Sequence, residues 1–178
     1  MRISVAADSL DGAARLIPAT LAALGHEVSA HGALAEGVEE SDPRAVWSAC
    51  ARAAALEVAE GRADQAIVAC WTGTGASIAA NKVAGIRAAL CTDAATATGA
   101  RRWNDANVLA LSLRLTSAPV LVEILEAWFE TDPSPEPGDL AAISLLEPQS
   151  PGAVRSARLP ETDAARQISG PAASPRLA

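Results

Sequence analysis

Short apolar runs alternate with longer helical stretches over the first 130 residues, and this alternation restricts the fold more than any other feature. Runs at 2–7, 64–70, 86–91 and 107–111 have the length and composition of buried strands, and 27–31 is a weaker run. Helices are predicted over 11–24, 43–60, from about 76, over 93–102 and over 119–129. Strands that alternate with helices favour a parallel sheet covered on both faces. The sequence therefore predicts an α/β protein, a three-layer α/β/α sandwich with a parallel sheet of about five strands.

A change in composition near residue 131 divides the chain. Most of the eleven prolines lie beyond this point, among many Ser, Ala and Arg residues. Residues 1–130 are predicted to form the folded domain, and 131–147 a C-terminal extension with one short helix at 139–146. Residues 148–178 are predicted to be disordered, because they offer little apolar surface to offset the entropy of ordering.

The charge and the cysteines exclude several classes of protein. The formal net charge is −7 and no Lys/Arg cluster is present, so a nucleic-acid partner is not expected. No apolar run reaches the roughly 18 residues of a membrane span. The three cysteines lack zinc-site spacing, so reduced thiols and no metal are expected. The N-terminus begins as a strand rather than as a signal peptide. This start, the reduced thiols and the lack of a membrane span together predict a cytoplasmic protein.

A glycine-rich turn after the third strand predicts a ligand site. The sequence Cys-Trp-Thr-Gly-Thr-Gly-Ala-Ser at 70–77 follows a buried strand and opens a helix. Ligands of open parallel sheets bind at the carboxyl ends of strands. Gly73 and Gly75 let backbone N–H groups approach a ligand, and the helix N-terminus favours an anion. Such a turn binds a dinucleotide, a phosphate or nothing, and a dinucleotide is disfavoured here because the third Gly of Gly-x-Gly-x-x-Gly is missing.

Cys70 stands at the end of the strand that leads into this turn. The field of the following helix favours its thiolate, which is able to act as a general base on a carbon acid or as a nucleophile. The sequence supplies no obvious His partner for either role. A cysteine that ends a buried strand is also commonly a packed apolar residue, so the residues alone leave these roles open.

The segment 70–87 resembles the signature of the ribose-5-phosphate isomerase B / galactose-6-phosphate isomerase family. The matching stretches include Ser-Ile-Ala-Ala-Asn-Lys at 77–82 and Gly-Ile-Arg-Ala at 85–88. Asp8, the stretch Asn-Asp-Ala-Asn-Val-Leu-Ala at 104–110 and Arg114 also match in order. The resemblance covers residues 1 to about 130. It implies a Rossmann-like fold and a homodimer, or dimer of dimers, with its active site at a subunit interface. It also implies aldose–ketose isomerisation of a sugar phosphate without metal or organic cofactor.

The same resemblance implies a role for each matching residue. Cys70 would move a proton between C1 and C2 of the sugar through a cis-enediolate, and Thr72 would assist proton transfer or ring opening. The residues implied as an anion hole are Gly73, Thr74, Gly75, Ala76 and Ser77. The residues expected to bind substrate are Asp8, Ser9, Trp71, Trp103, Asn104 and Arg114.

The sequence departs from the family pattern mainly where the substrate is handled. Ser9 and Trp103 stand where the family has His, and Asp42 replaces a Tyr before Pro. Trp71 replaces a small Gly, and the family's C-terminal phosphate-binding arginines have no clear counterpart in 131–146. We expect ribose 5-phosphate to be a poor substrate, because each lost charge-assisted hydrogen bond costs about 1.5–3 kcal/mol.

The leading function is therefore an aldose–ketose isomerase that acts on a sugar or a sugar phosphate. Two alternatives stay open: a sugar epimerase that uses the same enediolate, and a non-catalytic sugar-phosphate-binding partner subunit. Four other residues are interpreted as structural. Cys50 and Cys91 are predicted to be packed, and Trp47 and Trp128 to be core or dimer contacts.

Overall fold

The computed structural model describes residues 1–146, which form five strands and six α-helices. The strands are β1 (Arg2–Ala7), β2 (Glu27–Gly32), β3 (Gln65–Cys70), β4 (Ala88–Leu90) and β5 (Val108–Ser112). The helices are α1 (Leu16–Ala23), α2 (Trp47–Ala59), α3 (Thr74–Ala80), α4 (Ala94–Asn104), α5 (Ala118–Glu130) and α6 (Pro137–Ser144). The disorder predicted for 148–178 concerns residues outside the described part of the chain.

All strand pairs are parallel, and the order across the sheet is β2-β1-β3-β5-β4. From β1 the chain moves outward to β2, then crosses back over β1 to β3. The order therefore reverses between β1 and β3. In open α/β sheets such a reversal leaves a crevice at the carboxyl ends of the two strands, where ligands bind. Asp8 follows β1 and Cys70 ends β3, so both residues lie at this crevice.

Alternate residues of the central strands are buried on opposite faces of the sheet, as the two-residue period of a strand requires. One face carries Ile3, Val5, Ile67, Leu109 and Leu111, which pack against α1, α4 and α5. The other carries Ala6, Val68, Cys70, Val108 and Ala110, which pack against α2 and α3. The predicted three-layer α/β/α sandwich with five parallel strands is confirmed.

Helix α1 begins at Leu16, five residues after the predicted start at 11. The reason is Gly12, whose φ of 54° is left-handed and incompatible with an α-helix. A Cβ at Gly12 would also collide with the carbonyl oxygen of Leu113. The chain therefore turns twice before α1, and the helix ends as predicted before Gly25, with a φ of 81°.

The prediction of one continuous helix over 43–60 is wrong for its first turn. Residues Pro43–Ala45 form a short 3₁₀ turn, capped by Asp42, whose carboxylate accepts from the Arg44 N–H at 2.8 Å. Val46 is then extended, with a ψ of 129°, and α2 starts only at Trp47. This break places Trp47 at the first turn of α2, beside the crevice.

The segment after α5 returns to the body through one backbone contact. The Ser134 N–H donates to the Arg102 carbonyl at 2.7 Å. Helix α6 at Pro137–Ser144 lies two residues ahead of the stretch 139–146 and contacts α4. Within residues 1–146, no helix is both long enough and apolar enough to cross a membrane.

The outer side of the edge strand β4 is bonded by the Asn81 side chain. The Asn81 carboxamide accepts from the Ala88 N–H at 2.9 Å and donates to the Ala88 carbonyl at 2.8 Å. The neighbouring residues face inward: the Arg87 carbonyl accepts from the Asn107 N–H, and the Cys91 N–H donates to Ala110, each at 3.1 Å. Asn81 thus replaces a neighbouring strand at Ala88.

Candidate functional site

A cavity of about 350 Å³ opens at the crevice between β1 and β3. Its lining consists of Asp8, Trp47, Cys70, Trp71, Thr72, Thr74 and Gly75. Six of these seven residues belong to the site predicted from the sequence. The structure therefore brings the thiol, two threonine hydroxyls and a carboxylate to one concave surface.

Cys70 differs from the other two cysteines in its surroundings. Burial raises the pKa of Cys50 and of Cys91 to about 12, and both side chains are packed in the core, as predicted. The charge of Asp8 adds to the effect at Cys50. These two thiols therefore stay protonated at neutral pH. Cys70 is the cysteine that lines the cavity, although only 5% of its surface is exposed.

The backbone around Cys70 is fixed by hydrogen bonds from β5 and from the turn. The Cys70 carbonyl accepts from the Leu113 N–H at 3.0 Å and from the Gly73 N–H at 3.1 Å. Next to it, the Trp71 carbonyl accepts from the Ser112 hydroxyl and from the Arg114 N–H, each at 3.0 Å. The position of the thiol is thus set by the strand ladder rather than by a flexible loop.

Gly73 makes the turn between β3 and α3, and it is the N-cap of α3, with a left-handed φ of 75°. A Cβ here would lie 2.9 Å from the backbone of Leu111 and 2.5 Å from Leu90 Cδ1. No residue with a side chain fits this position without displacing its neighbours. On either side of Gly73, the hydroxyls of Thr72 and Thr74 are 2.7 Å apart and share one hydrogen bond.

The start of α3 supplies the backbone amides for the predicted anion hole. Thr74, Gly75 and Ala76 open the helix, where no preceding turn provides carbonyl acceptors. Ser77 is placed differently: its N–H donates to the Gly73 carbonyl at 3.0 Å, inside the helix. Its hydroxyl donates to the Ala88 carbonyl at 3.3 Å, toward β4.

Asp8 brings a partly buried carboxylate to the cavity. Burial raises its pKa, with a smaller contribution from the charges of Asp11 and Glu40, while backbone N–H groups of Asp8 and Ser9 act in the opposite direction. One carboxylate oxygen, Oδ1, is buried without a hydrogen-bond partner among the described residues. Such an atom is an acceptor ready for a ligand hydroxyl.

Asp8→Asn is expected to increase the free energy of unfolding relative to the parent, and the gain should grow with pH. Because the pKa of Asp8 is raised on folding, the folded state binds the proton more tightly than the unfolded chain. Stability therefore falls as pH rises from about 4 through the folded pKa, and the Asn variant escapes this fall. Urea denaturation at a series of pH values measures the difference.

The matched control is Asp132→Asn, which removes one negative charge from an exposed position. A gain that is independent of pH, or that shrinks as pH rises, would contradict the assignment of a desolvated carboxylate at position 8.

Trp103 and Asn104, which were predicted to bind substrate, lie at the amino ends of the strands, whereas the cavity lies at the carboxyl ends. Helix α4 runs back from the carboxyl edge and ends with Trp103 and Asn104. The Asn104 carbonyl accepts from Arg87 Nε at 3.1 Å, and Arg87 precedes β4 at the amino edge. Asn104 lines a separate cavity there, of about 480 Å³. Within one copy of the chain, these residues and Cys70 therefore do not share a cavity.

The remaining two predicted residues flank the cavity without lining it. Ser9 donates its hydroxyl to Asp11 at 3.1 Å, so it is engaged in the loop after β1. Arg114 is exposed just beyond β5, with its backbone bonded to Trp71.

Trp47 is the site residue that the sequence prediction missed. The sequence predicts a core or dimer contact at this position, but 43% of the Trp47 surface is exposed, and the residue lines the cavity. The core assignment is wrong because α2 starts four residues later than predicted. The informative signal was the pair Asp-Pro at 42–43, which is typical of a turn as well as of a helix start. Trp128, by contrast, is fully buried, with its indole N–H bonded to Gln65 at 2.6 Å.

The chain is similar in sequence and in fold to several known proteins. Residues 3–139 match the model of the Ribose/Galactose Isomerase family. The chain is 42% identical to ribose-5-phosphate isomerase B of Escherichia coli over 112 residues, which cover 59% of this chain and 74% of that protein. It is 43% identical over 84 residues to the galactose-6-phosphate isomerase subunit LacB of Clostridium acetobutylicum, covering 47% of this chain and about half (49%) of that relative. The structure of Clostridium thermocellum ribose-5-phosphate isomerase B aligns with a TM-score of 0.71 and 33% identity, over 82% of this chain and 95% of that one.

Proposed function

Since the chain belongs to the ribose/galactose isomerase family, a family of sugar-phosphate isomerases, we propose that it interconverts an aldose and a ketose with Cys70 as the base. The substrate is a sugar or a sugar phosphate, and the reaction needs no metal or organic cofactor. The observation that carries the proposal is the cavity at the crevice between β1 and β3, where Cys70 meets Thr72, Thr74 and Asp8.

Cys70 performs the proton transfer. Its thiolate takes the proton from C2 of the aldose, and the electron pair of that C–H bond forms the C1=C2 bond. The former carbonyl oxygen at C1 takes the negative charge, which gives a cis-enediolate. After a proton moves between the two oxygens, the Cys70 thiol returns its proton to C1, and the ketose is complete. General-base catalysis of this kind contributes about 10²–10⁴-fold to the rate.

The enediolate oxygens require donors that are in place before the charge develops. The amides of Thr74, Gly75 and Ala76 at the start of α3 meet this requirement, because the helix itself leaves them without acceptors. The Ser77 N–H is already bonded within the helix, so its contribution is to hold the first turn closed. Thr72 and Thr74, which share a hydrogen bond, are placed to pass a proton between the two sugar oxygens.

Binding of the sugar hydroxyls falls to Asp8, whose buried Oδ1 has no partner among the described residues. Trp103 and Asn104 lie at the other edge of the sheet in the same copy of the chain. For them to touch the same substrate, they must come from a second copy. The active form is therefore a homodimer, or a dimer of dimers, with the site at the subunit interface.

Proton exchange with solvent tests this function. The full chain is incubated in deuterated water with a panel of pentoses, hexoses and their phosphate esters, and ¹H NMR follows C1 and C2. The expected result is deuterium at C2 of an aldose or C1 of a ketose, with formation of the isomeric sugar. Appearance of the C2 epimer instead would identify an epimerase.

The control in this experiment is the Cys70→Ala variant. Exchange that persists in it would assign the proton transfer to another group. Absence of exchange with every sugar, under conditions where the chain is folded, would contradict the isomerase and favour a non-catalytic binding subunit.

A further inference from the structure

The turn Gly-Thr-Gly at 73–75 is held by close contacts on both of its sides. At Gly73, an added Cβ would lie 2.9 Å from the carbonyl oxygen of Leu111 in β5. At Gly75, an added Cβ would lie 2.9, 3.1 and 3.3 Å from Cε3, Cδ2 and Cζ3 of Trp47. These three atoms belong to the six-membered ring of the indole, which therefore lies directly against the Gly75 backbone. The turn is thus held between β5 and the first residue of α2.

The contact with the Trp47 ring is what excludes a side chain at Gly75. Gly75 is the second residue of α3 and lacks the left-handed φ that Gly73 adopts. Alanine would suit a helical backbone better than glycine does. The space for its Cβ, however, is taken by the indole. Gly75 and Trp47 therefore form a matched pair, in which the small residue makes room for the large one.

The backbone that carries the Trp47 ring is itself held in position. The Val46 carbonyl accepts from the Ala49 N–H at 2.8 Å and from the Cys50 N–H at 3.0 Å. The Trp47 carbonyl accepts from the Cys50 thiol at 3.6 Å, and only 1% of the Cys50 surface is exposed. Because burial raises the pKa of Cys50 to about 12, this thiol keeps its proton and stays a donor at neutral pH. The ring therefore projects to the turn from a fixed support.

Thr74, between the two glycines, is the residue whose position depends on this support. Its hydroxyl shares a hydrogen bond of 2.7 Å with that of Thr72, and both threonines line the cavity with Cys70. We infer that Trp47 is a positioning residue, whose ring holds Gly75 and thereby the Thr74 hydroxyl in place against the reacting sugar. The inference rests on the proposed function, in which the two threonines pass a proton between sugar oxygens. In such a reaction, a displacement of about 1 Å costs about 10²-fold in rate.

Removal of the ring tests this role. Trp47→Ala is expected to lower kcat for deuterium exchange by about 10-fold, with KM within about threefold of the parent, because the turn loses its support but keeps its residues. Trp47→Phe, which retains a six-membered ring, should recover part of the loss. Val122→Ala, at an exposed site on α5, is a control and should match the parent. Urea denaturation of each variant shows whether the measured rates belong to folded protein.

A second variant changes the same contact from the side of the glycine. Gly75→Ala places a methyl group where the ring lies and should by itself lower kcat by about 10-fold. In the Trp47→Ala background the methyl group has room, so the same substitution should change kcat by less than about twofold. Gly138→Ala is the matched control and should keep the parent kcat. Gly138 is also the second residue of its helix, and a Cβ there meets no atom within 4 Å.

The outcomes separate this role from the isomerase itself. A parental kcat in Trp47→Ala, or equal effects of Gly75→Ala in both backgrounds, would overturn the inference and leave the isomerase intact. A rise in KM alone would assign the ring to direct binding of the sugar and would overturn it too.

If no sugar exchanges, the isomerase fails, and titration calorimetry with the same sugars and phosphate esters decides the inference. Binding by the parent that weakens about 10-fold in Trp47→Ala and is partly restored in Trp47→Phe supports it. Equal binding by the parent and Trp47→Ala, or no binding by the parent, overturns it.

Discussion

Cys70→Ala is expected to lower kcat for the proposed sugar isomerisation by about 10²–10⁴-fold while KM changes little, because the variant loses the proposed base but keeps the rest of the cavity lining. Cys70 is 5% exposed, and alanine is smaller, so the variant should fold with a modest loss of stability. The measurement is steady-state kinetics with the sugar identified by deuterium exchange, together with circular dichroism to confirm the fold.

Cys91→Ala is the matched control for this prediction. Cys91 is a fully buried thiol one residue after β4, and it packs in the core against the α1, α4 and α5 layer. Its removal should cost a similar amount of stability and leave kcat near the parent value. Equal losses of kcat in both variants would mean that Cys70 acts through packing rather than through its thiol.

Gly73→Ala is expected to lower the free energy of unfolding by about 2–5 kcal/mol and to abolish most of the activity. Part of the cost is the left-handed φ of 75°, which disfavours any residue with a Cβ. The rest comes from the contacts of that Cβ with the Leu111 backbone and with Leu90. Relief of these contacts requires the turn to move, and the turn carries both Cys70 and the amides of α3.

Gly61→Ala separates the two parts. Gly61 has a φ of 72°, nearly the same conformation, but a Cβ there meets no atom within 4 Å. It should therefore lose only the conformational part, about 1–2 kcal/mol, and retain full activity. Chemical denaturation of the two variants and the parent gives the comparison, and equal destabilisation would show that the crowding at Gly73 is unimportant.

The sheet could be predicted from the sequence because its strands carry their own signal. Continuous apolar runs such as Ala-Ile-Val-Ala at 66–69 are buried on both faces, and the helices between them impose parallel pairing. The helix starts were less predictable. The left-handed φ of Gly12 and the extended ψ of Val46 each interrupt a stretch with helical periodicity. A single glycine or valine in the sequence does not predict such a backbone conformation.

The candidate site also has a part that the sequence predicts and a part that it does not. The thiol, Thr72, Thr74 and Gly75 are adjacent in the sequence, so one turn brings them together, and that part was predictable. Trp47 is distant in sequence and enters the cavity only because α2 starts late. The resemblance groups Trp103 and Asn104 with Cys70. Helix α4, however, runs back from the carboxyl ends of the strands and ends with these two residues at the amino ends, as the alternation of parallel strands and helices requires.

The carboxamide of Asn81 limits how another molecule can pair with the sheet at β4. Its two hydrogen bonds occupy the outward N–H and carbonyl of Ala88, in a strand of only three residues. Another molecule that tried to continue the sheet at this border would have to break both bonds before forming any of its own. Association of two copies through the β4 edge is therefore disfavoured.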